Sequence, residues 1–478
     1  MHDFQTSIPT QHHIDGAWVG EPALDVHDPA TGEVIATVAD ADVDTAVAAL
    51  DAAHRAQTDW AATDPRERGE LLRRAFELIH ERKDDFARLM TLEMGKPLQE
   101  SYGEVTYGAE YFRWFSEEAV RIHGRFGRAP SGPSRIVTDK RPVGPVYAIT
   151  PWNFPLAMGT RKIGPALAAG CTVVVKPASA TPLTTLLLMR VLEEAGVPKG
   201  VVNVFTTSSS KDTSAALLSD ERLRKLTFTG STATGQALLR QSAEHVLKTS
   251  LELGGNAPFL VLEGADLDAA IEGALIAKMR NNGEACTAAN RFFVHTSLAG
   301  AFTDRLLEAL TDWKVGPGIE EGTKLGALIH SDAVDGIVEL IDDAVSRGAT
   351  LRLGGERLEG PGAFLPATVL TDVDPASRIV AEEIFGPVVA IQTVDSTDEA
   401  IARANDSNFG LMSYVYGPEG ESLRVAERLD YAMCGVNTGL VSNPAAPFGG
   451  MKHSGLGREG SFEGIDEYLE TRYYGMPL

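Results

Sequence analysis

Apolar residues in the first 123 positions recur at the three- and four-residue spacing of helices. Leu71, Leu72, Phe76 and Ile79 fall on one face. They follow a helix start at Asp64-Pro65-Arg66-Glu67, which offers an acid for the N-cap, proline at the first helical position and Glu three residues on. Asp44 to Trp60 reads as an Ala-rich helix, Asp84 to Met94 as another, and roughly Gln99 to His123 as a third. Residues 1–40 are short strands punctuated by Pro and Gly, such as Gly32 to Val38. Residues 124–142 are basic, Gly/Pro-rich and weakly patterned, and are read as an extended arm or hairpin used in assembly. From Val143 the pattern changes. Val146–Ile149, Thr172–Val175, Val201–Val204 and Leu226–Phe228 are short, branched and apolar, as strands buried on both faces of a parallel sheet are. Helices are predicted at about 158–168, 183–195, 213–219 and 233–243, which gives the βαβ rhythm of a doubly wound, Rossmann-type nucleotide-binding sheet. A second α/β region runs from Ala257 to about Val436, with strands at 291–295, 388–394 and 412–416. The aromatic run Tyr468–Tyr474 is suited to adding a strand to a neighbour's sheet.

Composition narrows the class. The 478 residues are enough for two or three domains, and 44% hydrophobic content is ordinary for globular cores. No run approaches about 18 uninterrupted apolar residues, so no membrane span is expected. Met1-His2-Asp3-Phe4-Gln5 has neither a basic nor an apolar leader segment, so no signal peptide is expected. Cys171, Cys286 and Cys434 are few, odd in number and far apart, which fits a reducing cytosol. A net charge of −23 argues against nucleic-acid and anionic-membrane partners. Any anionic ligand must then meet a local cluster of positive groups.

Candidate chemistry centres on Arg280-Asn281-Asn282-Gly283-Glu284-Ala285-Cys286-Thr287. Asn, Asn and Gly end an apolar helical run (Ala270 to Met279), and a strand follows. A polar, Gly-bearing loop can present the Cys286 thiol to a cleft, whereas a free cysteine alone is more often a small buried hydrophobe. Four more groups lie at or beyond strand ends, where open α/β sheets place their ligands. Thr150-Pro151-Trp152-Asn153-Phe154-Pro155 is a rigid aromatic turn, and the Asn153 amide can donate to a developing oxyanion. Lys176-Pro177-Ala178-Ser179 places a cation where ribose or phosphate oxygens would lie. Phe228-Thr229-Gly230-Ser231 leads from strand to helix; Gly230 allows close backbone approach and the helix N-terminus offers free N–H groups to a pyrophosphate. Leu251-Glu252-Leu253-Gly254-Gly255 puts an acid in an apolar strand, where desolvation would raise its pKa and suit a general base. No metal-binding residues are assigned.

Together these segments resemble the aldehyde dehydrogenase superfamily. Pro151–Pro155, Phe228–Ser231, Glu252–Gly255, Cys286 in its N-x-G-x-x-C setting, Glu383-Ile384-Phe385-Gly386-Pro387, Pro447–Gly450 and Ser454–Gly457 occur in family order. The resemblance runs from about residue 12 to the end. It implies an aldehyde dehydrogenase-like α/β fold with four parts. A Rossmann-type cofactor domain takes residues 1–123 and 143–253, and an α/β catalytic domain takes 254–436. A small β oligomerisation arm takes 124–142 and 459–478, and 437–458 return to the cofactor domain. It implies Cys286 as nucleophile, Asn153 with the Cys286 backbone N–H as oxyanion donors, and Glu252 as the base for hydrolysis. Thr150, Pro151, Trp152, Asn153, Lys176, Pro177, Ala178, Ser179, Gly230, Ser231, Leu253, Glu383 and Phe385 resemble cofactor-contacting positions. Many NAD-using members carry Glu where Ser179 stands; without that carboxylate and with Lys176 nearby, NADP preference is expected, with NAD weaker.

Within the superfamily the chain resembles succinate-semialdehyde dehydrogenases at Ala157–Lys162, at Arg280, six residues before Cys286, and at Ser442. That resemblance implies that Arg161, Arg280 and Ser442 grip the distal carboxylate of a semialdehyde, as in 4-aminobutyrate breakdown. Arg161 and Arg280 as structural ion pairs is the bland alternative. Glutarate semialdehyde, one methylene longer, is the near rival. A thiol esterase without redox chemistry is the rival of another class, and it would not need Lys176, Ser179 or Glu383. Gly159 stands where the subfamily usually has a larger aliphatic residue, which would widen the pocket. Glu284 replaces a usual Gln, and facing the thiol it would raise the thiol pKa. A cytosolic homodimer or homotetramer is implied by family resemblance.

Overall fold

A computed structural model describes residues 8–477, so the leader reading of Met1–Gln5 lies outside the described residues. The branched apolar runs form the parallel heart of an eight-stranded sheet. Its spatial order is Ala17–Val19, His12–Ile14, Val202–Val204, Val173–Lys176, Val146–Ile149, Lys225–Thr229, Lys248–Glu252 and Gly455–Leu456. The five middle strands are parallel, and the outermost pairings are antiparallel. Reversal of chain order around Val146–Ile149 opens a crevice at the carboxyl ends of this strand and its neighbours, the place where such sheets take ligands. Thr150, Gly230 and Leu253 each follow one of these strand ends.

The second region is a seven-stranded sheet in the order Thr350–Leu353, Thr368–Thr371, Val388–Val394, Ala289–His295, Ala257–Val261, Met412–Tyr416 and Met433–Val436. All its pairings are parallel except the first. The helix Leu267–Met279 crosses over from Ala257–Val261 to Ala289–His295, so the Cys286 loop emerges between two central strands.

Small residues bring the site together. In the helix Ala157–Ala169 every residue is buried. A Cβ on Gly108 of the helix Leu98–Glu118 would lie 3.2 Å from the Ala157 backbone, and one on Gly164 3.2 Å from Phe112 and Phe115. Burying aromatic rings such as Phe112 contributes roughly 1.5–3 kcal/mol each. The close approach fixes the N-terminus of Ala157–Ala169, and with it the Asn153 turn.

Two local expectations differ in detail. Asp64 stands at the N-cap of Pro65–Glu81, but its carboxylate makes no capping hydrogen bond. The arm is a hairpin of Phe126–Arg128 and Ser134–Pro142, and the tail Leu469–Pro477 pairs with Ser134–Pro142 of the same chain rather than needing a neighbour's sheet. Nine consecutive residues of each strand pair in unbroken register, which satisfies the backbone groups of the tail along one edge.

Candidate active site

The loop before the thiol is held by its own asparagines. Asn281, Asn282 and Gly283 are all left-handed, with φ of 57°, 58° and 76°. Asn tolerates this conformation and Gly favours it. A Cβ on Gly283 would sit 2.4 Å from the Gly386 carbonyl carbon. Asn281 Nδ2 donates to the carbonyls of Asn153 (3.0 Å) and Glu284 (3.1 Å). Asn282 Nδ2 donates to the Ala327 carbonyl, and its Oδ1 accepts from Gly326 N–H. On the other side, a Cβ on Gly255 would lie 2.2 Å from the Cys286 carbonyl oxygen, so only glycine lets these backbones meet. Cys286 is half-buried as a result, and its thiol lines a cleft of ≈ 240 Å³.

Burial pushes the Cys286 thiol up to about 12; Arg161 and Arg280 oppose this, while Glu383 and Glu252 add to it. Glu284 is turned away. Its Oε1 accepts from Ile329 N–H at 3.0 Å, and burial raises its carboxyl well above the carboxylate range. The like charge feared from its position in the sequence is therefore not presented to the sulfur.

Pro151, Trp152, Asn153, Gly230, Ser231, Leu253, Glu383 and Phe385 share the cleft with Cys286. Trp152 and Phe385 meet edge to face, centroids 5.4 Å apart, and Phe385 carries a positive φ of 51°. A ring held in that conformation costs backbone energy, of order 1–3 kcal/mol, and such positions cluster at ligand clamps. Asn153 Nδ2 gives one hydrogen to the Glu284 carbonyl at 2.9 Å, which leaves its second for the cleft. Glu383 Oε1 accepts from Gly255 N–H at 3.0 Å. Burial raises Glu383 to about 7, against the Gly255 hydrogen bond and buried Lys278.

Glu252 lies behind the wall of this cleft. Its carboxyl is buried with neither oxygen hydrogen-bonded to protein, and it rests where a Cβ on Gly449 would be 2.9 Å from Oε1. Burial, then Glu459, raises Glu252 well above the carboxylate range. Burial would raise Glu459 too, but Lys162 and Arg161 outweigh it and hold Glu459 ionised. The pair therefore favours the negative charge on Glu459 over Glu252.

Arg280 and Ser442 line a second cavity of ≈ 270 Å³ with Tyr107 and Phe154. The Arg280 guanidinium lies 5.2 Å from the Phe154 ring. Arg161 does not join them. It is 1% exposed, pairs with Glu459 Oε2 at 2.7 Å, and stacks 3.9 Å from the Phe448 ring. Of the three expected carboxylate contacts, Arg280 and Ser442 share this cavity, while Arg161 is held by Glu459 outside its lining. Gly159 is corrected: its missing side chain faces Leu188 at 3.5 Å, not a cavity.

Thr150 leads into the cleft turn, and Lys176, Pro177, Ala178 and Ser179 lie one strand over. Thr150 N–H donates to the Lys176 carbonyl, and Ser179 Oγ donates to the Thr207 carbonyl at 2.9 Å. Lys176 Nζ donates only to the Pro177 carbonyl, and burial lowers its pKa to about 8. Lys96, Glu104 and Glu459 also build the site, and sequence reading passed over them. Their importance comes from contacts between distant segments. Only Glu459, an acid in the run Gly457-Arg458-Glu459-Gly460, carried a local signal.

The cleft suits a dinucleotide. Gly230 and Ser231 line the cleft, and Ser231 caps the helix Thr232–Ser242, whose N-terminus can offer N–H groups to an anion. A Cβ on Gly254 would come within 2.8 Å of Glu383 Oε2, so the wall stays low beside that acid. Trp152 and Phe385 offer flat apolar faces to a ring.

Comparison with known proteins agrees. The family model described as "Aldehyde dehydrogenase family" matches residues 18–474. A succinate-semialdehyde dehydrogenase of Paenarthrobacter nicotinovorans is 54% identical over 93% of this chain and 99% of its own. A glutarate-semialdehyde dehydrogenase of Pseudomonas aeruginosa is 48% identical over 97% and 96%. A crystal structure described as an E. coli NADP dependent enzyme superposes with TM-score 0.97 at 44% identity, covering 100% of this chain and 99% of that one. With a thiol and an amide donor gathered in a cleft at the sheet ends, and a family match across nearly its whole length, the chain belongs to the aldehyde dehydrogenase family.

Proposed function

We propose that this enzyme oxidises succinate semialdehyde to succinate, with NADP preferred over NAD. The observation that carries the reading is the placement of Cys286 beside one cleft and of Arg280 with Ser442 in a second cavity, with Asn153 and Phe154 at the junction. An aldehyde carbonyl at the sulfur leaves a short chain pointing toward the guanidinium. The two relatives' names supply the acid-bearing substrate class.

Chemistry follows from these residues. The Cys286 thiolate attacks the carbonyl carbon, and the oxygen takes up the negative charge as a tetrahedral thiohemiacetal forms. Asn153 Nδ2 and the Cys286 N–H donate to that oxygen. The nicotinamide, when bound, supplies the two-electron acceptor for the C–H hydride. Loss of hydride restores the C=O bond and leaves a thioester on Cys286. Glu252, swung from its rest against Gly449 and deprotonated, takes a proton from water as the water oxygen attacks the acyl carbon. The C–S bond then breaks, releasing the acid and the thiolate. Glu383 and Phe385 orient the cofactor, with Pro151, Trp152, Gly230, Ser231 and Leu253 around it. Thr150, Lys176, Pro177, Ala178 and Ser179 form its adenosine end. Of the described residues, those up to 123 and those of 143–253 form the cofactor domain, 254–436 the catalytic domain and 437–458 the return segment. The strands of 124–142 and the tail from 459 form an arm that pairs copies into a dimer or tetramer, with Phe126 and Tyr473 exposed on it. Among the described residues no helix is long and apolar enough to cross a membrane.

Arg280→Met tests the substrate. A charge-assisted bond to a carboxylate in a partly buried site is worth about 2–3 kcal/mol, so KM for succinate semialdehyde rises by about 30–150-fold. KM for a neutral aldehyde of equal length stays within about threefold. An equal rise on both would reject the clamp. Glutarate semialdehyde also turns over, since a methylene is worth only roughly 10–200-fold.

Lys176 makes NADP recognition pH-dependent. Its pKa of about 8 means it is cationic below that value and neutral above. The KM for NADP therefore rises from pH 7.5 to about pH 9.5, while that for NAD barely changes. In Lys176→Ala the NADP profile is flat; a wild-type profile that is already flat would remove Lys176 from 2′-phosphate recognition.

A further inference from the structure

Lys96 and Glu104 form an ion pair with side chains 0% and 1% exposed, 2.5 Å apart, beside the site. Lys96 also donates to the Asn153 carbonyl at 2.9 Å and lies 4.4 Å from the Phe154 ring centroid. Glu104 uses its other oxygen to accept from Leu156 and Ala157 N–H, at 2.9 and 3.0 Å. One charge pair therefore grips both ends of the 153–157 turn, whose middle is otherwise irregular.

The backbone beneath Lys96 is fixed against the opposite side of the site. Gly95, at φ 95°, ends the helix Lys83–Met94. A Cβ on Gly95 would lie 2.3 Å from the Ala327 carbonyl oxygen, and one on Gly326 1.9 Å from the Gly95 oxygen. Gly326 N–H and the Ala327 carbonyl are also what Asn282 holds. The same short segment thus registers the Lys96 corner and the loop carrying Cys286. Asn281 closes the circuit by donating to the Asn153 carbonyl that Lys96 also holds.

We infer that Lys96 and Glu104 are positioning residues for the oxyanion site, setting the Asn153 amide relative to the Cys286 sulfur without touching substrate. The physical reason is geometric. The Asn153 carbonyl is pinned from two sides, by Lys96 and Asn281, and its amide donates to the Glu284 carbonyl, so the amide's place depends on where the pinned backbone sits. The Asn153 amide acts only if it is placed within hydrogen-bond reach of where the oxyanion forms. Removing Lys96 frees the turn and leaves the buried Glu104 without its counter-ion.

The inference rests on Asn153 being an oxyanion donor, and a double-mutant cycle separates the two ideas. First-turnover formation of reduced cofactor is measured for Lys96→Met, Asn153→Ala and the double variant, with NADP affinity by fluorescence titration. Asn153→Ala alone lowers the rate by about 10²–10³-fold. Lys96→Met lowers it by about 10–100-fold, with NADP affinity unchanged within about twofold. In the Asn153→Ala background, Lys96→Met adds less than about threefold, because the group it positions is gone. A full, multiplicative effect in that background overturns the positioning role while leaving Asn153 as donor. An Asn153→Ala enzyme of near-normal rate overturns both. If Lys96→Met does not fold, Glu104→Gln, which keeps size and loses only charge, is read in the same cycle.

Discussion

Cys286→Ala lowers turnover of every aldehyde by at least about 10⁴-fold, the scale on which losing a covalent nucleophile acts. NADP affinity stays within about twofold, because the cleft is walled mainly by Trp152, Gly230, Ser231, Leu253, Glu383 and Phe385. The half-buried thiol explains why loss is so complete. Held at about 12 by burial in the free enzyme, the sulfur is made nucleophilic only within a site that also holds Arg161 and Arg280 near it. No other cysteine can substitute. Cys171 is fully buried and donates to the Tyr468 carbonyl, and Cys434 lies on the strand Met433–Val436. Steady-state assays on purified variant, with cofactor titration as the folding control, check this. Residual activity above about one percent would mean that the sulfur is not the group attacked.

Glu252→Gln separates the two halves of the reaction. The first turnover of reduced cofactor persists, while steady-state turnover falls by about 10²–10⁴-fold, the range for losing a positioned general base. Stopped-flow absorbance then shows a burst of about one equivalent per site followed by near silence. The pH dependence follows from the carboxyl's surroundings. Glu252 is raised well above the carboxylate range by burial and by Glu459, and it acts only when deprotonated. Wild-type hydrolysis therefore speeds up as pH rises through that raised pKa, and the residual rate of the Gln variant lacks this rise. Loss of the burst together with the steady state would place Glu252 in thiol activation rather than hydrolysis.

The parallel strands were legible because continuous branched apolar runs have few other uses than a sheet buried on both faces. Val146–Ile149 and Val173–Lys176 end within one residue of where the pattern ended them. Cys286 was legible as a presented thiol because Asn-Asn-Gly before it cannot continue a helix, and all three take the left-handed conformation. Local pattern carried no information about partners across the chain. Arg161 and Glu459 are far apart in sequence, so nothing near Arg161 revealed that its charge is taken. Glu284 looked adjacent to the sulfur, yet its side chain reaches Ile329 on a different segment. Gly159 looked like a widened pocket, yet it faces Leu188 of the helix Leu183–Ala195. In each case the residue's position in the chain was readable and its direction was set by packing.

The central claim is a covalent acyl group on one sulfur. Glu252→Gln enzyme mixed with NADP and succinate semialdehyde, quenched in acid and examined by peptide mass spectrometry, addresses it directly. A succinyl adduct on the peptide bearing Cys286, formed in step with the burst of reduced cofactor, is the result predicted. Reduced cofactor appearing with Cys286 unmodified at every quench time would contradict it.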